Sequence, residues 1–90
     1  MRIRWDPLKA ESNIRKHKVR FSDAESVLFD SAARTREDED ARDEQRFVTI
    51  GRDSLDRILV VAYTYRGEEI RMISARRATP RERKNYEEGI

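Results

Sequence analysis

Residues 58–65, ILVVAYTY, constrain the fold more than any other stretch. A strand with one wet face alternates apolar and polar side chains, whereas this run is apolar on both parities. It therefore reads as a central strand with cover on both sides. Arg66-Gly67 follows as a tight-turn signal, and residues 69–75 read as a second strand running back antiparallel to the first.

The remaining elements hang on that pair. Residues 2–5 alternate and predict a short strand. Asp6-Pro7 starts a helix expected to run to about His17, because the carboxylate caps free N–H groups and proline suits the first helical position. Lys18 falls where a left-handed residue ends the helix, at a cost of about 1 kcal/mol for a non-glycine. Ser22 with Glu25 reads as a capping box for a second helix burying Ala24, Val27 and Leu28, with a stop near residues 30–31. Strand character resumes at about Ala33, and another strand covers residues 44–50, ended by Gly51 and a polar loop over 52–56. Thr79, Pro80 and Glu82 open a last helix whose only large apolar side chain is Tyr86, so it is expected either to fray or to be completed by a partner. The order is β-α-α-β-β-β-β-α: an α+β domain with helices grouped on an antiparallel sheet, residues 1–90 forming one unit.

Charge narrows the function. Residues 1–20 carry seven basic side chains against two acids, and residues 66–84 carry seven against three, while 37–40 and 43–44 are acidic. Such polarity suits a polyanionic partner. The acidic run Glu37-Asp38-Glu39-Asp40 reads as solvated surface or a docking patch for a partner protein. The chain has no cysteine, one histidine and three glycines. A transition-metal site, a phosphate-cradling loop and a disulfide framework are therefore not expected, and neither metal nor cofactor is. With no apolar leader and no membrane-length run, a soluble cytoplasmic protein is expected.

Arginine, lysine, tyrosine, glutamate and one histidine suffice for cutting RNA without a metal. A base frees the 2′-OH, a cation stabilises the pentacoordinate phosphate, and an acid protonates the leaving oxygen. Arg76, at a strand end beside a helix N-terminus, suits the middle task, and Arg66 is a second candidate at the same or the opposite end of the sheet. Bland alternatives stand beside these: Arg77 paired with Glu82 or Glu69, His17 as a surface cap, Trp5 in the core, and Tyr63 and Tyr65 as packing residues with satisfied hydroxyls. Residue types alone support binding an anion and leave cleavage open. No helix-turn-helix spacing supports a lone DNA regulator.

Two long motifs decide further. WDPLKAESNIRKHKVRFSDA resembles the W-D-x-x-K-x-x-x-N-x-x-K-H-G-V-x-F-x-x-A opening of the BrnT toxins. YTYRGEEIRMISARRATPRERKNYEEG resembles that family's Y-T-x-R-x-x-x-I-R-x-I-S-A-R-x-A-x-x-x-E-R-x-x-Y-E ending. The resemblance implies a RelE-like fold and metal-independent RNA cleavage that blocks translation and growth. It also implies neutralisation by a BrnA-type antitoxin in a hetero-oligomer, a heterotetramer being one form it allows, with operator DNA contacted only through the antitoxin. Its matching positions make Arg66, Arg76, Glu82, His17 and Lys16 the catalytic candidates. Lys9, Arg71, Arg77, Arg81, Arg83 and Lys84 are expected to contact RNA. A non-catalytic module that binds antitoxin or nucleic acid is the alternative. Lys18 replaces the family's glycine, and Ala41-Arg42 stand where it often carries a histidine, which would weaken activity if that histidine takes part in cleavage.

Overall fold

The computed structural model describes residues 2–89. Its strands are β1 (Arg2–Arg4), β2 (Arg34–Asp38), β3 (Arg46–Arg52), β4 (Ile58–Arg66) and β5 (Glu69–Arg77), in one sheet ordered β1-β5-β4-β3-β2. Helix α1 spans Pro7–His17, α2 spans Phe21–Ala24 and continues as a 3-10 turn over Glu25–Phe29, and α3 spans Pro80–Glu88. The α+β class and the element order are as expected, and ILVVAYTY is the middle strand.

One expectation about the sheet fails. Three of its pairings are antiparallel, but β1 lies parallel to β5, with Arg2, Ile3 and Arg4 opposite Glu69, Ile70 and Arg71. A hairpin forces antiparallel pairing, and no hairpin joins these two strands. They come from opposite ends of the chain, and the helices carry the chain from β1 at one edge to β2 at the other.

The core lies between one sheet face and α1–α2. Val19, Phe21, Ala24 and Val27 pack on Leu59, Val61, Tyr63, Ile70, Met72 and Ala75. Each large side chain so buried contributes about 1.5–3 kcal/mol. Trp5 joins from the rim, edge-on to Phe21 at 5.8 Å. A hydroxyl chain crosses the same face: Thr35 Oγ1 to Thr49 Oγ1 at 2.7 Å, then Thr49 to the Tyr63 hydroxyl at 2.8 Å. Tyr63 is thus the satisfied packing residue expected, whereas Tyr65, nearer the strand end, is half exposed.

Local chemistry accounts for the boundaries. Asp6 accepts from the Leu8 N–H at 2.9 Å, and Lys18 takes the left-handed conformation (φ 60°, ψ 32°) that the missing glycine would have filled. The Ser22–Glu25 box does not form. Helix α2 begins a residue earlier, at Phe21, whose ring is drawn into the core, and Glu25 already lies in the 3-10 turn. Strand β3 runs through Gly51 to Arg52 instead of stopping at the glycine. A Cβ at Gly51 would lie 3.0 Å from the Val27 carbonyl oxygen, so this glycine provides clearance under the 3-10 turn.

Asn13 is the one buried residue of α1, and it is polar. Strand β1 pairs with β5 only as far as Arg71, which leaves the outer backbone edge of β5 open beyond it. There the Asn13 amide donates to Ala75 O (2.8 Å) and Val19 O (2.9 Å) and accepts from Ala75 N (3.0 Å). One side chain substitutes for the absent strand and satisfies buried backbone groups that would otherwise cost dearly.

Candidate functional site

Strand alternation sorts the arginines. Cross-strand partners share a face, and the face away from α1 carries Arg34 and Arg36 of β2, Arg46 and Arg52 of β3, and Arg66 of β4. On β5 it carries Arg71 and Arg76, and on β1 Arg2 and Arg4. Residues 71 and 76 are an odd number apart and in a regular strand would point oppositely. The register slips between Ala62 and Tyr63: Ala62 pairs with Ser74 and Tyr63 with Met72, leaving Ile73 over as a bulge. That extra residue keeps Ile70, Met72 and Ala75 together in the core and sends Arg71 and Arg76 together to the opposite face. By the same alternation, the strand acids on that face are Asp38 and Glu69, and Glu69 pairs with Arg2 and Arg4.

Helix α3 covers one end of this face. Thr79 and Glu82 form the expected capping box, Thr79 N donating to Glu82 at 2.8 Å and Glu82 N to Thr79 Oγ1 at 3.1 Å. The Glu82 carboxylate also receives the Arg76 guanidinium through two bonds of 2.8 and 3.0 Å. The glutamate that Arg77 was expected to engage is therefore bound by Arg76. Those bonds outweigh burial and hold the Glu82 carboxyl down to about 2, and the same bonds raise Arg76 above its ordinary value. The Tyr86 hydroxyl donates to Asp30, whose other partners are the N–H groups of Arg52 (2.7 Å) and Ala32 (3.0 Å). Burial pushes Asp30 upward, but these hydrogen bonds bring it below its usual range; burial and the Asp30 contact raise Tyr86. The Arg52 guanidinium lies 5.9 Å from the centre of the Tyr86 ring, and Arg34 donates to the Gly89 carbonyl. The helix expected either to fray or to be completed by a partner is tied down by polar anchors within the chain, which its apolar pattern did not reveal.

Beside the bulge, α1 and the free edge of β5 enclose a shallow groove lined by Lys9, Asn13, Lys16, His17, Ile73 and Ser74. Ser74, in its lining, and Arg76 are two residues apart on one face of β5. Lys16 and His17 share this groove, whereas Arg76 and Glu82 pair with each other under α3. Arg66 does not join them. It pairs with Glu69 while Arg76 pairs with Val60, six residues away along β4, or about 20 Å. Arg66 and Arg76 share a face but not a phosphate. Arg71 lies on Arg66's side of the bulge, and the loop carrying Ala41 and Arg42 also meets that end, through Thr64 Oγ1 donating to Gln45 O at 2.6 Å.

The other expected RNA contacts scatter more. Arg81, Arg83 and Lys84 lie exposed on α3. Arg77 points to the opposite face from Arg76 and shares a polar cleft with Arg52, Arg57 and Arg83. Sequence reasoning passed over Arg34, Arg36, Arg52 and Asp30. Arginines two apart in a strand, as at 2 and 4 or 34 and 36, were a usable signal for one basic face; Asp30 gave none. Among the described residues no three histidine, aspartate or glutamate side chains converge as a metal cage would require. No helix among them is long and apolar enough to cross a membrane.

With this geometry in hand, comparison with known proteins is informative. Residues 5–82 match the profile of the family described as the ribonuclease toxin, BrnT, of type II toxin–antitoxin systems. The 1.1 Å crystal structure of the Brucella abortus ribonuclease toxin, BrnT, is similar, with a TM-score of 0.69 and 30% identity over 88% of this chain and 97% of that one. A search of curated proteins gave no match.

Proposed function

The chain belongs to the BrnT family of ribonuclease toxins of type II toxin–antitoxin systems, and from that premise we propose that it cuts RNA on the arginine face of its sheet without a metal ion. Residues 1–90 act as one domain in the cytoplasm. Cutting blocks translation and growth until a BrnA-type antitoxin, the partner that type II membership calls for, binds in a hetero-oligomer and covers the face. Operator DNA is reached only through that antitoxin. The observation that carries the reading is that every strand contributes arginine to one face, most of it left bare by the helices. A flexible polyanion laid across it meets cation after cation.

In this reading the scissile phosphate sits where the β5-edge groove meets Arg76. His17 takes the proton from the 2′-OH, that oxygen attacks phosphorus, and the 5′ oxygen leaves with a proton from Lys16. The Arg76 fork neutralises the charge gathering on the phosphorane. Glu82, ionised at any working pH, positions Arg76 and carries no proton. Arg66 and Arg71 hold phosphates farther along the strand, with Lys9, Arg77, Arg81, Arg83 and Lys84 extending the basic surface.

The test is cleavage of single-stranded RNA in EDTA by the wild type, Arg76→Gln and His17→Ala. The wild type should cut, leaving 2′,3′-cyclic phosphate and 5′-hydroxyl ends, and both variants should be at least a hundredfold slower, about the usual contribution of a general base. Cleavage that stops in EDTA, or proceeds unchanged in both variants, refutes the mechanism. A second reading, a module that binds RNA and does not cut it, is favoured by the engagement of Arg76 with Glu82. RNA bound with steep salt dependence but left intact would select it.

A further inference from the structure

Beside α3 the arginine face deepens into a groove of about 320 Å³. Its floor is apolar, made by Val48, Ile50 and Val60, and its rim carries Arg34, Arg36 and Asn85. We propose that this groove is a base-binding subsite: one unpaired RNA base lies on the floor, the Asn85 amide reads its edge, and Arg34 and Arg36 hold the flanking phosphates. The inference rests on the RNA-cutting reading and adds where sequence preference arises.

Four observations converge on a nucleotide. The volume is at the lower end of small-ligand sites, about 300 Å³ and upward, which suits one nucleotide better than a folded chain segment. The floor is a flat patch of sheet where the apolar face of a base loses water. Asn85 is exposed, and its side-chain amide has no hydrogen-bond partner among the described residues, so donor and acceptor are both free. That pair complements the adjacent donor and acceptor on an adenine edge, a match a hydroxyl or a charged group cannot reproduce. The rim charge is positive on balance. Arg36 has no carboxylate within ion-pair distance among the described residues, and Arg34 bonds only a neutral carbonyl. Glu82, the acid in the lining, is already neutralised by Arg76, and the acids that follow Arg36 line a separate groove.

The experiment is fluorescence anisotropy of labelled oligo-A, oligo-U and oligo-C, each 2′-O-methylated so that no 2′-OH is free to attack, on the full chain, comparing wild type, Asn85→Ala and Arg36→Gln. Asn85 faces solvent on a helix and alanine is the better helix former, so that variant stays folded. Asn85→Ala should bind oligo-A about tenfold more weakly and bring the three oligomers to similar affinity. Arg36→Gln should weaken all three alike and reduce the slope of log K against log salt by about one. Unchanged affinity and preference in Asn85→Ala overturn the subsite. So does an Asn85→Ala variant that binds RNA normally but no longer binds its antitoxin, since the groove would then be a protein dock. A wild-type chain that binds none of the oligomers fails the function itself, and the subsite with it.

Discussion

Replacing Glu82 with glutamine tests the Arg76–Glu82 pair quantitatively. Glutamine keeps the size of the side chain and the oxygen that accepts from Thr79 N, so the capping box survives while the charge and the second Arg76 bond are lost. A carboxyl that falls from 4.5 to about 2 on folding corresponds to a ceiling of about 3 kcal/mol of stability. Both partners are partly wet, with 34% of the Glu82 side chain and 39% of Arg76 exposed, and solvent screening lowers the figure to about 1 kcal/mol. For a domain of this size that is a fall in Tm of about 4–8 °C at pH 7. The direction with pH is fixed, because the depressed group stabilises the fold fully above pH 4.5 and loses that effect as pH falls through about 2. Thermal unfolding of wild type and Glu82→Gln should therefore differ at pH 7 and converge near pH 2, where protonated glutamate and glutamine are equivalent. Equal Tm values at pH 7, or a difference that persists at pH 2, would refute the argument.

Three further substitutions probe other parts of the fold. Asn13→Ala removes the two bonds that close the β5 edge at Ala75 and the third to Val19 O, leaving buried backbone groups without partners, and should lower unfolding stability in urea by about 3 kcal/mol. Gly51→Ala places a methyl 3.0 Å from the Val27 oxygen and should cost about 1–3 kcal/mol, measured the same way; an unchanged midpoint would mean that the 3-10 turn gives way freely. Lys18→Gly relieves the left-handed φ of 60° and should raise stability by up to about 1 kcal/mol, leaving the spectrum of the folded state unaltered.

Much of the fold was legible because it is set by local chemistry. The two-sided ILVVAYTY run named the central strand, Asp6-Pro7 and Thr79-Pro80 named two helix starts, and Gly67 (φ 61°) turned the hairpin as expected. What escaped depends on contacts distant in sequence. The parallel β1–β5 pairing joins the two ends of the chain. Gly51 looked like a terminator because its neighbour, Val27, is unknowable from the strand alone. For the candidate site, the motifs named Arg76, Glu82, Lys16 and His17 but not the Arg76–Glu82 pair or the groove that Lys16 and His17 share. They also named Arg66 as a second catalytic arginine, at the same or the opposite end of the sheet, and a strand length in fact separates it from Arg76. The bulge at Ile73 left a trace, since the apolar phase slips between Met72 and Ala75, and reading that slip would have put Arg71 and Arg76 on one face beforehand.

The sheet keeps its two sides apart. Apart from the Arg76–Glu82 pair, the positions that hold the core together lie toward α1, and those proposed to touch a substrate lie on the other side. On the proposed mechanism, a single codon change in Arg66 or Arg71 would therefore disarm the protein without making it insoluble. Lineages that escape poisoning this way would go on producing an intact decoy, still able to soak up whatever restrains the active form.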